Sequence, residues 1–205
     1  MKTFFATVLK SSSIAIILLA SVFSITASAA TVTVERGAVN PDIKKVIVTG
    51  TTRVLLVQNT REYVTMDALD LEKVSIKQDG NTLTINSSAS NPVTVTVFVK
   101  DLYRIDASDK SDVRTSGNFS LTNLQVMLKD EAKARIKATT ESLYTVIAGQ
   151  AKLELIGTST HHISKMAGIA TIDTDKFAAV KTESITSETE AVAFIAQRKV
   201  EAVKK

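Results

Sequence analysis

The residues best suited to chemistry lie close together near the middle of the chain. They are four acids and two bases: Asp101, Asp106, Asp109, Asp112, Lys110 and Arg114. Paired carboxylates can hold calcium and a basic side chain can abstract a proton, a combination used by polysaccharide lyases on β-helix scaffolds. One interpretation is therefore a carbohydrate-active lyase or hydrolase on such a scaffold. Its candidate residues would be Asp106, Asp109, Asp112 and Lys110.

The same acids also fit a purely structural role. They fall on outward or turn positions, where a β-solenoid places charges, and the chain has no calcium motif of the Gly-Gly-x-Gly-x-Asp type. The remaining candidates are His161 and His162, the only histidines. Adjacent residues on a strand point to opposite faces, so the two cannot easily hold one metal ion together. We predict a surface or turn pair of histidines, and no catalytic, cofactor-binding or metal-binding residue.

Other chemical signatures are missing from the sequence. There is no cysteine, so the protein has neither a disulfide nor the lipid attachment site of a lipoprotein. A phosphate-binding glycine loop, His-Glu-x-x-His and Gly-x-Ser-x-Gly are also absent. Three aromatic residues near predicted turns, Phe119, Tyr144 and Phe177, are expected to fill the interior. The sequence therefore predicts a protein that is not an enzyme and has no cofactor.

An apolar repeat indicates the elements that position these residues. Two columns recur with spacings of 23, 19, 19 and 19: Ile105, Leu128, Ile147, Met166 and Ile185, then Val113, Ile136, Leu155, Thr174 and Ala193. A fixed period near 20 with two short apolar stretches per period is typical of a strand-turn-strand-turn solenoid. We therefore predict an all-β, parallel β-helix-like solenoid whose rungs follow this period.

The side chains around the second column alternate as a half-buried strand requires. Two residues before each column member lie Ser111, Ala134, Leu153, Ile172 and Ala191, which share its inward face. The intervening positions are mostly charged: Asp112, Arg135, Glu154, Asp173 and Val192. Stacked rungs would place these columns about 4.8 Å apart from strand to strand.

Short strands precede the repeat. Segments rich in β-branched residues lie at 31–34, 46–49, 54–57, 63–66 and 74–76. Asp79-Gly80 then separates 74–76 from 83–85, which predicts a hairpin. Residues 93–99 alternate valine with other residues and predict a further strand.

The N-terminus has the pattern of a secretory signal peptide. Lys2 and Lys10 precede an apolar core of about ten residues and a small-residue site at 27–29, and this core is too short to cross a bilayer. Cleavage after Ala29 removes two of the 25 basic residues and none of the 21 acidic ones, a balance that argues against nucleic acid or an anionic membrane as partner. No later segment is long and apolar enough to form a membrane-spanning helix.

We divide the chain into a signal peptide, residues 1–29, and one β-solenoid domain, residues 30–205. N-terminal strands and a hairpin occupy 30–100, the repeat rungs 101–195 and a basic tail 196–205. Either the N-terminal strands or the charged tail could cap the exposed strand edges. A terminal helix over 188–205 is the alternative for the tail, because this segment is rich in Ala, Glu, Lys and Val.

The strand segments of residues 46–57, 63–66, 74–85 and 93–99 resemble the start of the DUF2807 domain, described as the head GIN domain of "putative auto-transporter adhesins". The resemblance continues through the repeats to about residue 195. It implies a right-handed solenoid at a Gram-negative cell envelope, with a role in adhesion and no active site. The family marks its turns with Gly-Ser-Gly, and here only Gly149 and Gly168 keep a glycine. Asp can partly replace glycine at such turns.

Together these observations predict a protein that is exported through the Sec pathway and resides in the periplasm or on the outer surface. It would bind a protein, a glycan or its own copies through an extended β face.

Overall fold

The protein is all-β. The computed structural model describes residues 31–34 and 42–186, and in these ranges there is one mixed sheet of 13 strands and no α-helix. The strands are β1 (Thr31–Val34), β2 (Lys45–Gly50), β3 (Thr52–Gln58), β4 (Tyr63–Asp67), β5 (Val74–Asp79), β6 (Thr82–Ser87), β7 (Val93–Val99), β8 (Arg104–Ala107), β9 (Asp112–Ser116), β10 (Phe119–Leu128), β11 (Lys133–Ile147), β12 (Lys152–Met166) and β13 (Thr171–Thr186). A single 3₁₀ turn, Ala68–Asp70, follows β4. No helix that could span a membrane occurs in the described ranges.

The N-terminal strands form where the β-branched segments predicted them. In β7 the residues Val93, Val95, Val97 and Val99 are buried, and the residues between them are half-buried or exposed. This alternation arises because successive side chains of a strand point to opposite faces. The predicted hairpin is confirmed, since β5 and β6 pair antiparallel around Gly80.

The three long strands, β11 to β13, must each bend back on themselves. β11 has 15 residues, which would measure about 50 Å if straight. Yet Lys152, the first residue of β12, pairs with Lys133 at the start of β11, and the chain between Ile147 and Lys152 can reach only about 18 Å. The buried positions change phase at the bend, from Thr140 to Leu143. The sheet therefore curls within each repeat, and we call this curled part of the sheet the coil.

The predicted period holds across the middle of this coil. Leu128 pairs with Ile147, and Ile147 pairs with Met166, so the first column is correct for these three residues. At the start the predicted spacing is wrong, because Ile105 pairs with Val126 rather than Leu128, and Val113 pairs with Ala134 rather than Ile136. Residues two apart on a strand share a face, so an apolar pattern cannot distinguish these registers.

A β-bulge changes the register of the last strand. Between Glu154 and Ile156 the pairing of β12 with β13 shifts, so that Ile156 lies opposite Lys176. One extra residue enters β13 at this point, as in β-bulges generally. Met166 consequently pairs with Thr186 rather than with the predicted Ile185.

The sheet as a whole is mixed, so the predicted parallel β-helix-like solenoid holds only in part. The antiparallel pairs all involve strands before the repeat, where a hairpin was predicted. Strands β1, β4 and β5 pair antiparallel with their neighbours, whereas the other pairings are parallel. The strand order also contains a crossover. Strand β3 lies between β7 and β9, and β2 lies between β6 and β8. The first strands of the coil are therefore inserted between later ones.

Two ladders of strands enclose the core. We call the first ladder β7, β3, β9 and the first halves of β11, β12 and β13, and the second ladder β6, β2, β8, β10 and the second halves of the same long strands. Inward side chains from both ladders belong to one apolar cluster. Its fully buried members include Val54, Leu56, Ile85, Ile105, Leu128, Ile136, Ile147 and Leu155.

Several predictions concern residues outside the described ranges. They are the signal peptide over 1–29, the column members Ala191 and Ala193, the alternative helix over 188–205 and the basic tail over 196–205.

Candidate functional site

Asp106 and Asp112, the two acids of the predicted cluster that lie within strands, belong to different ladders. Asp106 is an outward residue of β8 in the second ladder, where its carboxylate contacts Lys45 Nζ at 2.9 Å and Arg104 Nε at 2.7 Å. Asp112 is in β9 of the first ladder and contacts Arg114 at 2.8 Å and Arg53 at 3.6 Å. The side-chain hydrogen bond from Arg114 to Asp112 raises the pKa of the Arg114 guanidinium. Each carboxylate is thus engaged by cations of its own ladder.

Asp101 is also occupied by a neighbour. Lys44 Nζ donates to Asp101 Oδ2 at 3.0 Å and contacts Asp42 at 3.1 Å. The hydrogen bond to Asp101 is the main cause that raises the pKa of Lys44, and the hydrogen bond to Asp42 raises it further. The contact ties the loop before β8 to the segment before β2.

Asp109 has a structural role in the turn between β8 and β9. It has a φ of 58°, and the Gly50 N–H donates to its Oδ2 at 2.8 Å. The next three turns of the coil place Asp130, Gly149 and Gly168 in the same left-handed conformation. Backbone hydrogen bonds connect these turns, from Glu131 N to Asp109 O, from Gln150 N to Asp130 O and from Ile169 N to Gly149 O. Aspartate therefore replaces glycine in two of the four stacked turns, as residues that tolerate this region can.

The structure thus distributes the cluster over two ladders and a turn. Lys110 is an exposed residue of the same turn as Asp109. Within 31–34 and 42–186, no group of three or more histidine or acidic side chains is arranged to hold a metal ion.

The two histidines lie on opposite faces, as predicted, but the pair is not a surface feature. His162 is 3% exposed, and its Nε2 is 3.0 Å from Thr145 Oγ1. The rings of His162 and Phe177 are in edge-to-face contact, with their centroids 5.3 Å apart. Burial lowers the pKa of His162. His161 is half-buried on the outside, 3.3 Å from Glu183. Since His162 pairs with the buried Leu143, one rung earlier, the repeat itself contained the signal that it points inward.

Other polar side chains accompany His162 in the interior of the last rungs. Thr140 Oγ1 donates to Ser159 Oγ at 3.0 Å, and Ser159 Oγ donates to the His161 carbonyl oxygen at 2.9 Å. The hydroxyl of Ser164 is buried and has no hydrogen-bond partner in the described part of the chain.

The three aromatic residues expected in the interior differ in their placement. Phe119 is 1% exposed, so its predicted interior role is correct. Phe177 is half-buried against His162. The prediction is wrong for Tyr144, which is half-buried at an outward position of β11, because it lies between the inward residues Leu143 and Thr145.

A surface cleft on the second ladder was missed by the sequence analysis. It has a volume of about 310 Å³ and is lined in part by Ile47, Met127 and Val146, with Arg104, Asp106 and Lys129 as its charged residues. Ile47, Met127 and Val146 occupy outward positions in one column with Asp106. These apolar residues at outward positions are the sequence feature that could have predicted the cleft. They make the outer surface of the second ladder less polar than that of the first.

Proteins of known structure share this fold. A protein from Bacteroides fragilis NCTC 9343, described as a "putative adhesin", has 15% identity and a TM-score of 0.63, covering 78% of this chain and 77% of that one. A protein from Parabacteroides distasonis ATCC 8503, described as a "putative lipid binding protein", has 14% identity and a TM-score of 0.57, covering 77% of this chain and 78% of that one. At these identities the likeness concerns the fold alone. No curated protein matches the sequence.

The match to a family model is more extensive. Residues 42–203 match the family described as "Putative auto-transporter adhesin, head GIN domain". The matched range contains β2 to β13, which is every described strand except β1. The chain therefore belongs to the DUF2807 family.

Proposed function

We propose that this protein is a non-enzymatic module of the cell envelope that binds a protein, a glycan or its own copies through the outer faces of its coil. The observation that carries this proposal is the parallel stacking of β10, β11 and β12 in one continuous register, which creates long regular outer faces. Extended, repetitive surfaces of this kind are used for binding by repeat proteins. The adhesin description of the family agrees with such a role.

The arrangement of the charged residues also supports a binding role over catalysis. A lyase would need acids and a base to converge on one groove, whereas Asp106 and Asp112 belong to different ladders and Asp109 accepts a backbone hydrogen bond in a turn. Carboxylates held in this way stabilise the fold and leave no shared position for a substrate.

The proposal extends to compartment and architecture. We infer export through the Sec pathway by the segment 1–29, and residence in the periplasm or on the outer surface. The mature chain, residues 30–205, would fold as one domain, a right-handed solenoid whose rungs follow the N-terminal strands.

The test is a binding and cleavage screen of the chain from Ala30 to Lys205. The protein is applied to glycan and matrix-protein arrays with calcium and with a chelator, and the bound glycans are assayed for chain cleavage. We expect binding without cleavage and without dependence on calcium. Calcium-dependent cleavage that is lost in Lys110→Ala and kept in Lys77→Ala, an exposed lysine of β5, would overturn the proposal in favour of a lyase.

A further inference from the structure

The outer surface of the first ladder has more basic than acidic side chains. Its outward cations are Arg53, Arg114, Lys133, Arg135, Lys137, Lys152 and Lys176, and its outward acids are Asp112, Glu154 and Asp173, with Asp175 beside the bulge. We call this surface the basic face. The whole chain has 25 basic and 21 acidic residues, so the excess on this one surface is local and is not a consequence of composition.

Like charges lie directly opposite each other at two places on the basic face. Arg114 of β9 pairs in register with Arg135 of β11, and Lys133 of β11 pairs with Lys152 of β12. Neighbouring strands are about 4.8 Å apart, so these side chains are adjacent. Like charges in directly opposed positions destabilise a sheet. Asp112 and Glu154 offset the first pair, since they contact Arg114 and Arg135. Lys133 lies opposite Asp112 as well as Lys152, but neither lysine contacts a carboxylate among the described residues. A bound anion would therefore relieve the repulsion at the second pair.

Three lysines of the basic face are free to meet a ligand. Asp112 contacts Arg53 and Arg114, and Glu154 contacts Arg135 at 3.4 Å. The ammonium groups of Lys133, Lys137 and Lys152 have no carboxylate partner among the described residues, and all three side chains are exposed. Lys133 and Lys152 are opposite each other, and Lys137 lies two outward positions, about 13 Å, further along β11.

We propose that the basic face binds an anionic polysaccharide, one whose sugars carry carboxylate or sulfate groups. Such a chain presents one charge after another along an extended line, which matches cations repeated from strand to strand. Lysine suits this ligand because its ammonium is a mobile point charge that adapts to several anion geometries. This inference rests on the proposed function and names the class of partner.

A nucleic acid fits the basic face less well than a polysaccharide. Single strands are held by aromatic side chains on which the bases stack, in addition to cations. Among the described outward residues of the first ladder, the one aromatic residue is Phe98 of β7, and its ring is already stacked on Tyr63 with the ring centroids 4.0 Å apart. The first halves of β11 and β12, which contain the three lysines, have no outward aromatic residue. The lysines therefore have no stacking platform beside them.

The experiment compares two triple variants of the chain from Ala30 to Lys205. The first carries Lys133→Gln, Lys137→Gln and Lys152→Gln, on the basic face. The control carries Lys77→Gln, Lys110→Gln and Lys129→Gln, exposed lysines outside it, so both variants lose the same charge. Binding to polygalacturonate, dextran sulfate, uncharged dextran and single-stranded DNA is measured over a range of salt concentrations, and thermal melting verifies that both variants fold.

We expect the parent protein to bind at least one polyanion and not dextran. The basic-face variant should bind about tenfold more weakly and with a smaller salt dependence, because contacts to carboxylate or sulfate groups are lost one by one. The control should change less than about twofold.

Several results would overturn the inference. One is an equal loss in both variants, which indicates a response to net charge alone. The others are an absence of binding to either polyanion, and single-stranded DNA bound as tightly as the polysaccharide. If the basic-face variant still binds a neutral glycan or a protein on the arrays, the proposed function stands while this inference fails. If the parent binds nothing on the arrays or in solution, both fail.

Discussion

The interior of the middle rungs and the interior of the last rungs occupy equivalent positions but contain different side chains. In β10 the inward positions are Leu124, Val126 and Leu128, all at most 2% exposed. Two rungs later, in β12, the same columns contain His162, Ser164 and Met166. From β10 to β12 the coil therefore preserves which side chains point inward, while the chemistry of the interior changes.

The difference has energetic consequences. Buried apolar side chains each contribute about 1.5–3 kcal/mol by leaving water, whereas buried polar groups must find hydrogen bonds to avoid a penalty. The last rung is also less covered, since Ile172 and Phe177 of β13 are only half-buried. We therefore expect the middle rungs to dominate the stability of the fold and the last rungs to tune it.

Truncation of an inward isoleucine should separate the two regions most clearly. Ile136 is 1% exposed in β11, and Ile136→Ala should lower the free energy of unfolding by about 2–5 kcal/mol, the range for buried large-to-small changes. Ile172→Ala, in the half-buried position of β13, should cost clearly less. Urea titration of both variants measures the difference, and equal losses would contradict a weaker last rung.

Gly157, two residues before the bend of β12, gives the next largest expected effect. It has a φ of 113°, and a Cβ at this position would collide with the carbonyl oxygen of Ala138 on the neighbouring strand. Gly157→Ala should therefore destabilise the protein by about 2 kcal/mol or more, through backbone strain and loss of close strand approach.

The matched control is Gly80→Ala in the hairpin turn. Gly80 also has a positive φ, 52°, but a Cβ there would meet no atom within 4 Å. Gly80→Ala should lower the free energy of unfolding by about 1 kcal/mol, the usual penalty for a residue with a side chain in the left-handed conformation. Thermal melting compares the two variants. A clearly larger loss in Gly157→Ala would show that the last rungs, despite their polar interior, are packed tightly around Gly157.

His162 makes the last rungs sensitive to pH. Its folded-state pKa lies below the unfolded value near 6.5, because burial disfavours the imidazolium. The unfolded chain then takes up the proton first, so the stabilisation present above pH 6.5 is lost as the pH falls toward the folded pKa. The slope should be at most about 1.4 kcal/mol per pH unit.

The pH effect is measured by chemical denaturation between about pH 8 and pH 5, on both sides of the unfolded histidine pKa. His162→Leu should flatten the decline over this window, since leucine has no proton to bind. His161→Gln, which alters the half-buried neighbour on the outer face, should keep the decline. A decline that is unchanged in His162→Leu would assign the pH dependence to other groups.

The smallest effect is expected at the buried serines of β12. Ser164 has a hydroxyl without a partner among the described residues, so Ser164→Ala should be neutral or stabilising by up to about 1 kcal/mol. Ser159→Ala removes the acceptor of the Thr140 hydroxyl and should destabilise by about 1 kcal/mol. Differential scanning calorimetry distinguishes the two signs, and a loss in Ser164→Ala would show that its hydroxyl is satisfied.

Much of the local structure was predictable from the sequence. β-branched segments and alternation located β2 to β7, and Asp79-Gly80 located the hairpin between β5 and β6. The repeat period identified the correct partners for Leu128 and Ile147. These features depend on neighbours along the chain, or on a repeat that brings like residues together, so residue type alone specifies them.

The candidate site was less predictable. The acids between Asp101 and Asp112 are close in sequence, but a turn of the coil separates Asp106 in the second ladder from Asp112 in the first. Their partners come from far earlier in the chain: Lys45 and Arg53 are in β2 and β3, the strands inserted by the crossover, and Lys44 directly precedes β2. Proximity in sequence therefore suggested a cluster that the fold divides.

Residue types alone specify the strands before the repeat, the inward columns of the middle rungs and the left-handed turns, because these follow from side-chain alternation and backbone sterics within one repeat. The long-range fold sets the insertion of β2 and β3 between later rungs and the bulge that places Ile185 opposite Lys165. It also sets the alignment of lysines and arginines on the basic face. These depend on which strand becomes the neighbour of which. Many pairings bury the same apolar side chains equally well, so the choice rests on contacts between distant residues.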